Sequence, residues 1–481
     1  MPVLPDSADV RPDLSFSPAS ARLAVPALVD GNHKRVAFIT LGCRANQVES
    51  SALAEQFKQL GWQIVPEQES AALYVVNTCT VTEQADAEAR RLIRKRKREH
   101  PEARFAVTGC YAQIAPKPLA ALEGVDFVIG NALKDQLAAL VDERFWTGRP
   151  AEPWIMIDEL DKSRVLAATG GASHLSRHRA SLKIQDGCDY KCTYCIIWQA
   201  RGPSISVPAK SVVQTAQRLR AEGYNEIVLT GINIGQYLCP ETGADFAALL
   251  VMLTQAFTQP DASQRVRFRL SSLDPLEVTP AVIAAIADSG GVICPFLHLS
   301  AQSVDDGVLK AMARRHHVDE FEQIVTRFNA ALPHAMISAD IIVGFPGETD
   351  AAFNLTHERL ARLPVHCLHV FRYSPRPGTP AALYKPQVPE RIRKQRAEKL
   401  LALSRQKRVA FAQSMHGQTR LVLIEAQTEQ GDWQGTSECY LKVCVAAEGL
   451  PTALEAGQVL NVVLMPAEPQ AAAFDAKGTC V

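Results

Sequence analysis

The sequence lacks the features that would assign it to a membrane, secreted or strongly charged class of protein. Its 51 Lys and Arg residues balance 51 Asp and Glu residues, so net charge neither requires nor excludes a polyanionic partner. No apolar run approaches the roughly 18 residues that span a bilayer. The chain also begins without a basic segment followed by a hydrophobic core. We therefore expect a cytoplasmic protein with no membrane partner.

Cysteine, in contrast, is abundant, with 12 residues in a chain of 481. In a small secreted protein this number would indicate a disulfide framework, but a long chain of this kind favours metal ligands or catalytic thiols. A hydrophobic content of 47% is typical of a globular protein, and the length predicts two or three domains.

Strand and helix patterns divide the chain into successive parts. Residues 1–34 are rich in Pro, Ser, Ala and Asp, which predicts a disordered extension. Alternating strand and helix patterns then predict a parallel α/β sheet, and six later strand candidates predict an open or partial β/α barrel. The expected parts after the extension are an α/β domain (35–147), a linker (148–179), the partial barrel (180–388), a basic helical connector (389–415) and a small all-β domain with its tail (416–481).

Three cysteines lie close together in the middle of the chain, directly after a predicted strand. Cys188, Cys192 and Cys195 have C-x3-C-x2-C spacing. Three such thiolates can hold three corners of a cubane iron-sulfur cluster and leave one iron open to a cofactor or substrate. The alternatives are a chance grouping or a zinc site, although structural zinc usually takes four ligands arranged as two C-x2-C pairs.

This cysteine motif, with an aromatic residue at Tyr194, resembles that of the radical S-adenosylmethionine superfamily. The resemblance implies a partial β/α barrel in which the three cysteines hold a 4Fe-4S cluster. The open iron binds S-adenosylmethionine, and an electron from the cluster cleaves it to a radical. The candidates for the cofactor pocket are Tyr194, Gly231, Ser271, Gln302 and Val343. At the last four, which lie at the ends of predicted strands, ordinary turn chemistry is the alternative.

Three further cysteines are dispersed along the N-terminal part. Cys43, Cys79 and Cys110 each come immediately after a predicted strand. Since the carboxyl ends of parallel strands share one edge of a sheet, the three thiols are expected to converge there as a second three-ligand cluster site. The alternative is that buried free cysteines simply fill strand ends.

Two three-cysteine sets followed by a small β domain resemble the methylthiotransferase family from about residue 35 onward. The sequences LGCRANQ (41–47), NTCTVT (77–82) and TGCYAQ (108–113) resemble the branch that acts on N6-threonylcarbamoyladenosine at position 37 of tRNA. The resemblance implies a flavodoxin-like N-terminal domain with a second 4Fe-4S cluster, a radical-generating barrel and a C-terminal TRAM-like β-barrel that binds RNA.

The implied reaction replaces the C2 hydrogen of that adenosine with a methylthio group. Its implied partners are the anticodon loop of tRNA, an electron donor and a sulfur source, and a second S-adenosylmethionine provides the methyl group. Three alternatives stay open. The same chemistry could act on isopentenyl-adenosine 37 or on a ribosomal protein aspartate, or the chain could be a non-catalytic iron-sulfur or zinc protein that binds RNA.

Three positions depart from the family pattern, namely Trp198, Val304 and Arg372. None of them removes a cluster ligand. A basic run at residues 90–98 could bind phosphates or could be a solvated helix face. The cysteines outside both sets, which we expect to be structural or incidental, are Cys239, Cys294, Cys367, Cys439, Cys444 and Cys480.

Overall fold

The computed structural model describes residues 34–173, 176–258, 266–447, 450, 454–466 and 474–480. The predicted disordered extension, apart from its last residue, lies outside the described residues. Within the described part of the chain, no helix combines the length and the apolar character that crossing a membrane requires.

The N-terminal part is a parallel sheet of six strands with helices between them, as the sequence predicts. Its strands are β1 (Arg35–Thr40), β2 (Gln63–Val65), β3 (Leu73–Thr78), β4 (Arg104–Gly109), β5 (Val125–Ile129) and β6 (Trp154–Met156). Its helices are α1 (Arg44–Gln59), α2 (Glu83–Glu99), α3 (Cys110–Ile114), α4 (Pro116–Ala120) and α5 (Leu137–Phe145). The strand order β2-β1-β3-β4-β5-β6 is flavodoxin-like. Successive strands are added to one side of β1 and then, from β3 onward, to its other side, which makes the edge between β1 and β3 a topological switch point.

Sequence features account for these elements. Every residue of β3 and β5 is buried, as is typical of parallel strands covered by helices on both faces. Helix α2 begins where the Thr82 hydroxyl accepts a hydrogen bond from the Ala85 amide at 3.2 Å. Ala89 and Ile93 lie on the buried face of α2, and its charged residues cover the opposite face.

The central part is a partial β/α barrel. Its strands are β7 (Thr169–Ser173), β8 (Ser176–Lys183), β9 (Gln185–Asp186), β10 (Ile205–Ser206), β11 (Glu226–Thr230), β12 (Arg267–Leu270), β13 (Phe296–Gln302), β14 (Met336–Val343) and β15 (Cys367–Arg372). Its helices are α6 (Ile197–Arg201), α7 (Ala209–Ala221), α8 (Phe246–Phe257), α9 (Pro280–Ala287), α10 (Asp306–Ala311), α11 (Val318–Ala331) and α12 (Asp350–Arg362). Strands β8, β11 and β12 are parallel, as are β13, β14 and β15. A parallel bridge from Leu273 to Leu299 joins these two groups.

The segment 148–179, which the sequence predicts to be a linker, contains strands β6 and β7. Strand β6 adds to the edge of the N-terminal sheet, and β7 pairs with β8 in antiparallel fashion. Neither strand has a clear alternation of apolar residues, because β6 has three residues and β7 begins Thr169-Gly170-Gly171. Pairing with a stronger neighbouring strand therefore determines their structure, and the segment ties the two domains together.

The C-terminal part is a long helix followed by a closed five-stranded barrel, which confirms the predicted small all-β fold. Its elements are α13 (Glu390–Ser414), β16 (Thr419–Gln427), β17 (Trp433–Ser437), β18 (Lys442–Val445), β19 (Val459–Pro466) and β20 (Ala476–Cys480). Phe296, Met336 and Cys367 at the amino ends of β13 to β15 pack with the apolar core of this barrel. The small barrel therefore covers the amino end of the central barrel and leaves its carboxyl end to the cysteines.

A buried ion cluster fixes this contact. Glu226 is fully buried and lies 2.6 Å from Arg267 Nε, 2.8 Å from Arg269 Nε and 2.9 Å from Arg179 Nε. Arg267 and Arg269 also donate hydrogen bonds to backbone carbonyls of the small barrel, among them Thr436 O at 2.9 Å. A single carboxylate therefore holds the guanidiniums that link the two barrels.

The substitution Glu226→Ala is expected to destabilise the protein strongly, because it removes the carboxylate that pairs with Arg267 and Arg269 at the domain contact. Arg179 keeps its second ion pair, with Glu425 at 3.1 Å. Breaking a buried ion pair costs about 3–5 kcal/mol. Urea unfolding of the full chain measures this loss. The matched control is Glu222→Ala, because Glu222 makes an exposed pair with Arg218 at 2.8 Å. We expect the control to lose at most about 1 kcal/mol, and equal losses in both variants would contradict the structural role of Glu226.

Candidate active site

The dispersed cysteines meet at one edge of the N-terminal sheet. Cys43 precedes the first residue of α1, Cys79 directly follows β3, and Cys110 begins α3 after β4. Strands β1, β3 and β4 are neighbours in the sheet. The chain therefore brings together at this edge three thiols that lie far apart in the sequence, as predicted from the strand ends.

Two glycines let these strand ends approach each other. Gly42 and Gly109 precede Cys43 and Cys110, with φ angles of +94° and +97° that favour glycine. A Cβ atom on Gly42 would lie 2.5 Å from the Cβ of Cys79, and one on Gly109 would lie 2.2 Å from the carbonyl oxygen of Thr78. Glycine is therefore required at both positions for the three cysteines to converge.

A buried arginine from the central barrel reaches this set of cysteines. Arg201, the last residue of α6, is 1% exposed and donates from Nε to Cys110 Sγ at 3.3 Å. Its Nη2 donates to Asn46 Oδ1 at 2.5 Å, and its Nη1 forms an ion pair with Glu49. One guanidinium thus connects a sulfur of the N-terminal domain to the helix that follows the central cysteines.

Arg201 belongs to a buried charge network that crosses the domain boundary. Glu49 accepts hydrogen bonds at 2.6 Å from both Lys134 and Lys183, and Lys183 lies 2.8 Å from Asp186. Burial tends to raise the pKa of Glu49, but Arg201, Lys134 and Lys183 together hold it well below its usual range. With three cations and two carboxylates, the network carries a net positive charge beside the dispersed thiols.

The sequence did not predict this network. Charged residues are usually exposed, so Glu49 and Lys134 are expected to lie on solvated helix faces. A usable signal is Lys183, which stands between Leu182 and Ile184, two residues of the apolar core. A charged residue at such a position must be paired when the strand is buried.

The central cysteines lie on the loop between β9 and α6. Gly187 before them has a φ of +73°, and a Cβ there would lie 2.0 Å from the carbonyl oxygen of Pro203. The amides of Tyr190 and Ile197 lie 3.4 Å from the sulfurs of Cys188 and Cys195, respectively. These donors suit thiolate sulfurs better than neutral thiols.

A second buried arginine lies beside the central cysteines. Arg314 Nη1 lies 3.8 Å from Cys192 Sγ, and its Nη2 is fixed by Asp274 at 2.5 Å and by the Ser300 carbonyl at 2.6 Å. Each cysteine set therefore has one guanidinium directed at one of its sulfurs. Three thiols beside a cation suit an anionic iron-sulfur cluster at either place.

The protein environment alone leaves the thiols of Cys79, Cys188 and Cys195 protonated at neutral pH. Burial raises the pKa of Cys188 to about 11 and those of Cys79 and Cys195 to about 12. Because a thiolate is the ligand form, iron must displace these protons when it binds. Across the described ranges, no three His, Cys, Asp or Glu side chains converge on a single metal ion, as a zinc site would require. The cysteines of a cubane cluster each bind a different iron.

A cavity of about 630 Å³ opens beside the central cysteines at the carboxyl ends of β13 to β15. Tyr194, Cys195 and Gln302 of the central barrel line it, as do residues 81–84 at the start of α2 in the N-terminal domain. Gln302 has a φ of +68°. The cavity therefore lies between the barrel and the N-terminal domain and includes two of the predicted pocket residues.

The other three predicted pocket residues lie at strand ends of the same barrel. The Ser271 hydroxyl donates to the Leu229 carbonyl at 2.8 Å, and a Cβ on Gly231 would lie 2.8 Å from Gln185 Oε1. Val343 is 1% exposed and packs in the barrel core. Its neighbour Ile342 lies on the cavity, because successive residues of a strand point to opposite faces.

The three positions that depart from the family pattern lie either on a cavity or in the core. Trp198 lines a second cavity of about 810 Å³ together with Cys188, and Lys191 Nζ lies 5.5 Å from its ring. Val304 is fully buried. Arg372 lies on the first cavity and forms an ion pair with Glu390.

Comparison with known proteins places two matches on these domains. Residues 35–130 match the uncharacterized protein family UPF0004, and residues 182–360 match the radical SAM superfamily. A threonylcarbamoyladenosine tRNA methylthiotransferase of Bacillus subtilis is 36% identical over 412 residues, which cover 85% of this chain and 89% of that protein. Its counterpart in Aquifex aeolicus is 36% identical over 392 residues, covering 81% and 93% of the two chains.

A related enzyme whose name gives a different product has a lower sequence identity to this chain. The tRNA-2-methylthio-N(6)-dimethylallyladenosine synthase of Erythrobacter litoralis is 31% identical over 444 residues, covering 90% of this chain and 95% of that one. Among solved structures, the radical S-adenosylmethionine methyltransferase TsrM of Kitasatospora setae superposes with a TM-score of 0.53 at 17% identity. That match covers 73% of this chain and 77% of TsrM. At this identity the likeness shows a shared fold.

Proposed function

This chain belongs to the threonylcarbamoyladenosine branch of the radical S-adenosylmethionine methylthiotransferases, and we propose that it modifies adenosine 37 of tRNA. The protein uses an iron-sulfur cluster and S-adenosylmethionine. The reaction replaces the C2 hydrogen of N6-threonylcarbamoyladenosine with a methylthio group. We further propose a second 4Fe-4S cluster on Cys43, Cys79 and Cys110.

The observation that carries the proposal is the closeness of the two cysteine sets. Helix α6 begins two residues after Cys195 and ends at Arg201, whose guanidinium contacts Cys110. The Asn131 side chain, from the N-terminal domain, donates to the Ala200 carbonyl of the same helix at 2.7 Å. A methylthiotransferase needs this arrangement, because a radical formed at one site must meet sulfur held at another.

In this proposal the residues around the cavity have separate tasks. Cys188, Cys192 and Cys195 hold a cluster that, when bound, supplies the electron for cleavage of S-adenosylmethionine. Tyr194 and Gln302 shape the cavity for this cofactor at the strand ends.

The substrate also finds suitable surfaces here. Phe371 lines the same cavity and is 51% exposed. Its ring is therefore available to stack on an unpaired base. Bases in single-stranded loops can be splayed out and stacked on aromatic side chains in this way. We assign additional RNA contacts to the TRAM-like C-terminal barrel and to the basic face of α2 at residues 90–98. An electron donor and a sulfur source complete the set of partners, and we assign the protein to the cytoplasm.

Reconstituted enzyme provides the test. Iron-loaded protein is incubated with S-adenosylmethionine, sulfide, dithionite and one of three tRNAs, which carry threonylcarbamoyladenosine, isopentenyl-adenosine or unmodified adenosine at position 37. Mass spectrometry of the digested nucleosides should detect a methylthio product from the first tRNA alone. A product from the isopentenyl tRNA alone would assign the chain to the other tRNA branch. Cofactor cleavage without any tRNA product would direct attention to the ribosomal protein.

A further inference from the structure

The contact between Arg201 and Cys110 crosses from one domain to the other. Cys110 belongs to the N-terminal sheet, whereas Arg201 ends the helix that follows the central cysteines. The Nε to Sγ distance is 3.3 Å, and both side chains are buried, at 1% and 3% exposure. A hydrogen bond at this distance from a guanidinium is charge-assisted when the sulfur is a thiolate.

The guanidinium cannot move away from the sulfur without breaking other bonds. Asn46 accepts from Nη2 at 2.5 Å, and both Glu49 oxygens accept from the guanidinium. Asn46 is itself fixed, because its Nδ2 donates to the Leu41 carbonyl at 2.8 Å and to the Thr78 carbonyl at 3.1 Å. The N-terminal domain therefore holds the barrel's arginine next to the cysteines by a polar network of its own.

The local charge is also one-sided. Glu49 and Asp186 oppose Lys134, Lys183 and Arg201, which leaves one positive charge in excess in a buried place. An uncompensated buried cation is costly. An anionic group on the dispersed thiols would balance this charge, and a cluster held by three thiolates is such a group.

We propose that Arg201 is a positioning residue that sets the reduction potential of the cluster on Cys43, Cys79 and Cys110. This inference rests on the second cluster of the proposed function. One-electron reduction of a 4Fe-4S cluster adds a negative charge, which the guanidinium and its N–H to Cys110 stabilise more in the reduced state than in the oxidised state. Hydrogen bonds to sulfur and net charge both set such potentials. Arg201 therefore raises the potential of this cluster.

The arrangement has a consequence for the working enzyme. Because Arg201 lies on the helix after Cys195, a shift of the central loop that breaks its hydrogen bonds to Asn46 and Glu49 would move the cation away from Cys110. The electron affinity of the dispersed cluster is thus linked to the docking of the two domains. At the central set, Arg314 is the arginine directed at a cysteine, since its Nη1 lies 3.8 Å from Cys192 Sγ.

The experiment isolates one cluster at a time in the full-length chain. A parent variant with Cys188, Cys192 and Cys195 all replaced by alanine keeps only the dispersed set. The anaerobically reconstituted parent is compared with the same chain carrying Arg201→Gln, Arg201→Lys or Arg376→Gln. Dithionite provides the electron, and electron paramagnetic resonance at a series of poised potentials gives the midpoint. Iron content is measured on each sample.

Arg376 is the matched control, because it is another buried arginine that crosses the same domain boundary. It is 5% exposed, and within the described part of the chain its guanidinium contacts Thr80 Oγ1 at 2.7 Å and the Asp86 carboxylate rather than a sulfur. We expect Arg201→Gln to lower the midpoint potential of the cluster. Arg201→Lys, which keeps the charge but loses the Nε donor, should lower it less. Arg376→Gln should shift it least.

Each outcome discriminates. A midpoint in Arg201→Gln equal to that of the parent, with iron retained, overturns this inference and leaves the second cluster standing. If Arg201→Gln takes up no iron, the lysine variant decides, and an unchanged midpoint there overturns the inference. A parent that binds no iron overturns the second cluster itself and this inference with it.

Discussion

Replacing Cys192 with alanine is expected to abolish cleavage of S-adenosylmethionine, with 5′-deoxyadenosine falling to the background of the assay. Cys192 is the middle residue of the central set, between Cys188 and Cys195 in the sequence. It is buried, and the Arg314 guanidinium lies near its sulfur. With one thiolate of three removed, the cluster that must deliver the electron is not held. Chromatography of the reaction with dithionite measures 5′-deoxyadenosine and methionine.

A control for this variant is Cys444→Ala. Cys444 is half-buried in the small barrel, where its sulfur lies 3.8 Å from Asp432 Oδ2, and it belongs to neither cysteine set. We expect the control to cleave the cofactor at the rate of the unaltered chain. Unchanged cleavage in Cys192→Ala would show that the central cysteines do not hold the radical-generating cluster.

Replacing Cys79 with alanine is expected to separate cleavage of S-adenosylmethionine from formation of the methylthio product. The variant should still cleave S-adenosylmethionine, because the central set is intact, but it should form no methylthio nucleoside. Its iron content should fall by about half, since one of two cubane clusters is lost. Nucleoside mass spectrometry and iron determination on the same preparation measure both effects.

Cys294→Ala controls for the loss of a buried thiol. Cys294 is fully buried near the start of β13 and packs with the small barrel, away from both sets. The Cys294→Ala variant should be somewhat less stable, because truncating a buried side chain lowers the free energy of unfolding. It should still bind the iron of both clusters and form the methylthio nucleoside. A methylthio product at the unaltered rate in Cys79→Ala would contradict a role for the dispersed cysteines in sulfur transfer.

Local patterns predicted the fold well where they were strong. Strand β1 and helix α2 follow directly from local patterns, because a run of apolar residues and a capped amphipathic helix are visible without tertiary information. Strands β6 and β7 were not predicted, since each depends on pairing with a neighbour. The position of the small barrel depends on Glu226 and its arginines, which no local pattern indicates.

The candidate site divides in the same way. The convergence of Cys43, Cys79 and Cys110 could be predicted from the strand ends that precede them. The grouping of Cys188, Cys192 and Cys195 follows from their spacing alone. The place of Arg201 could not be predicted, because its partners Cys110, Asn46 and Glu49 lie more than 90 positions earlier in the chain. Strand parity could have distinguished Val343, which faces the core, from Ile342, which faces the cavity.

The central claim is that this chain makes the methylthio form of threonylcarbamoyladenosine in tRNA. The most direct measurement is mass spectrometry of total tRNA nucleosides from cells that lack the gene, with the intact gene or the Cys79→Ala gene restored. We predict that the methylthio nucleoside disappears on deletion and threonylcarbamoyladenosine accumulates, and that only the intact gene restores the product. An unchanged amount of the methylthio nucleoside after deletion, or its restoration by the Cys79→Ala gene, would contradict the account.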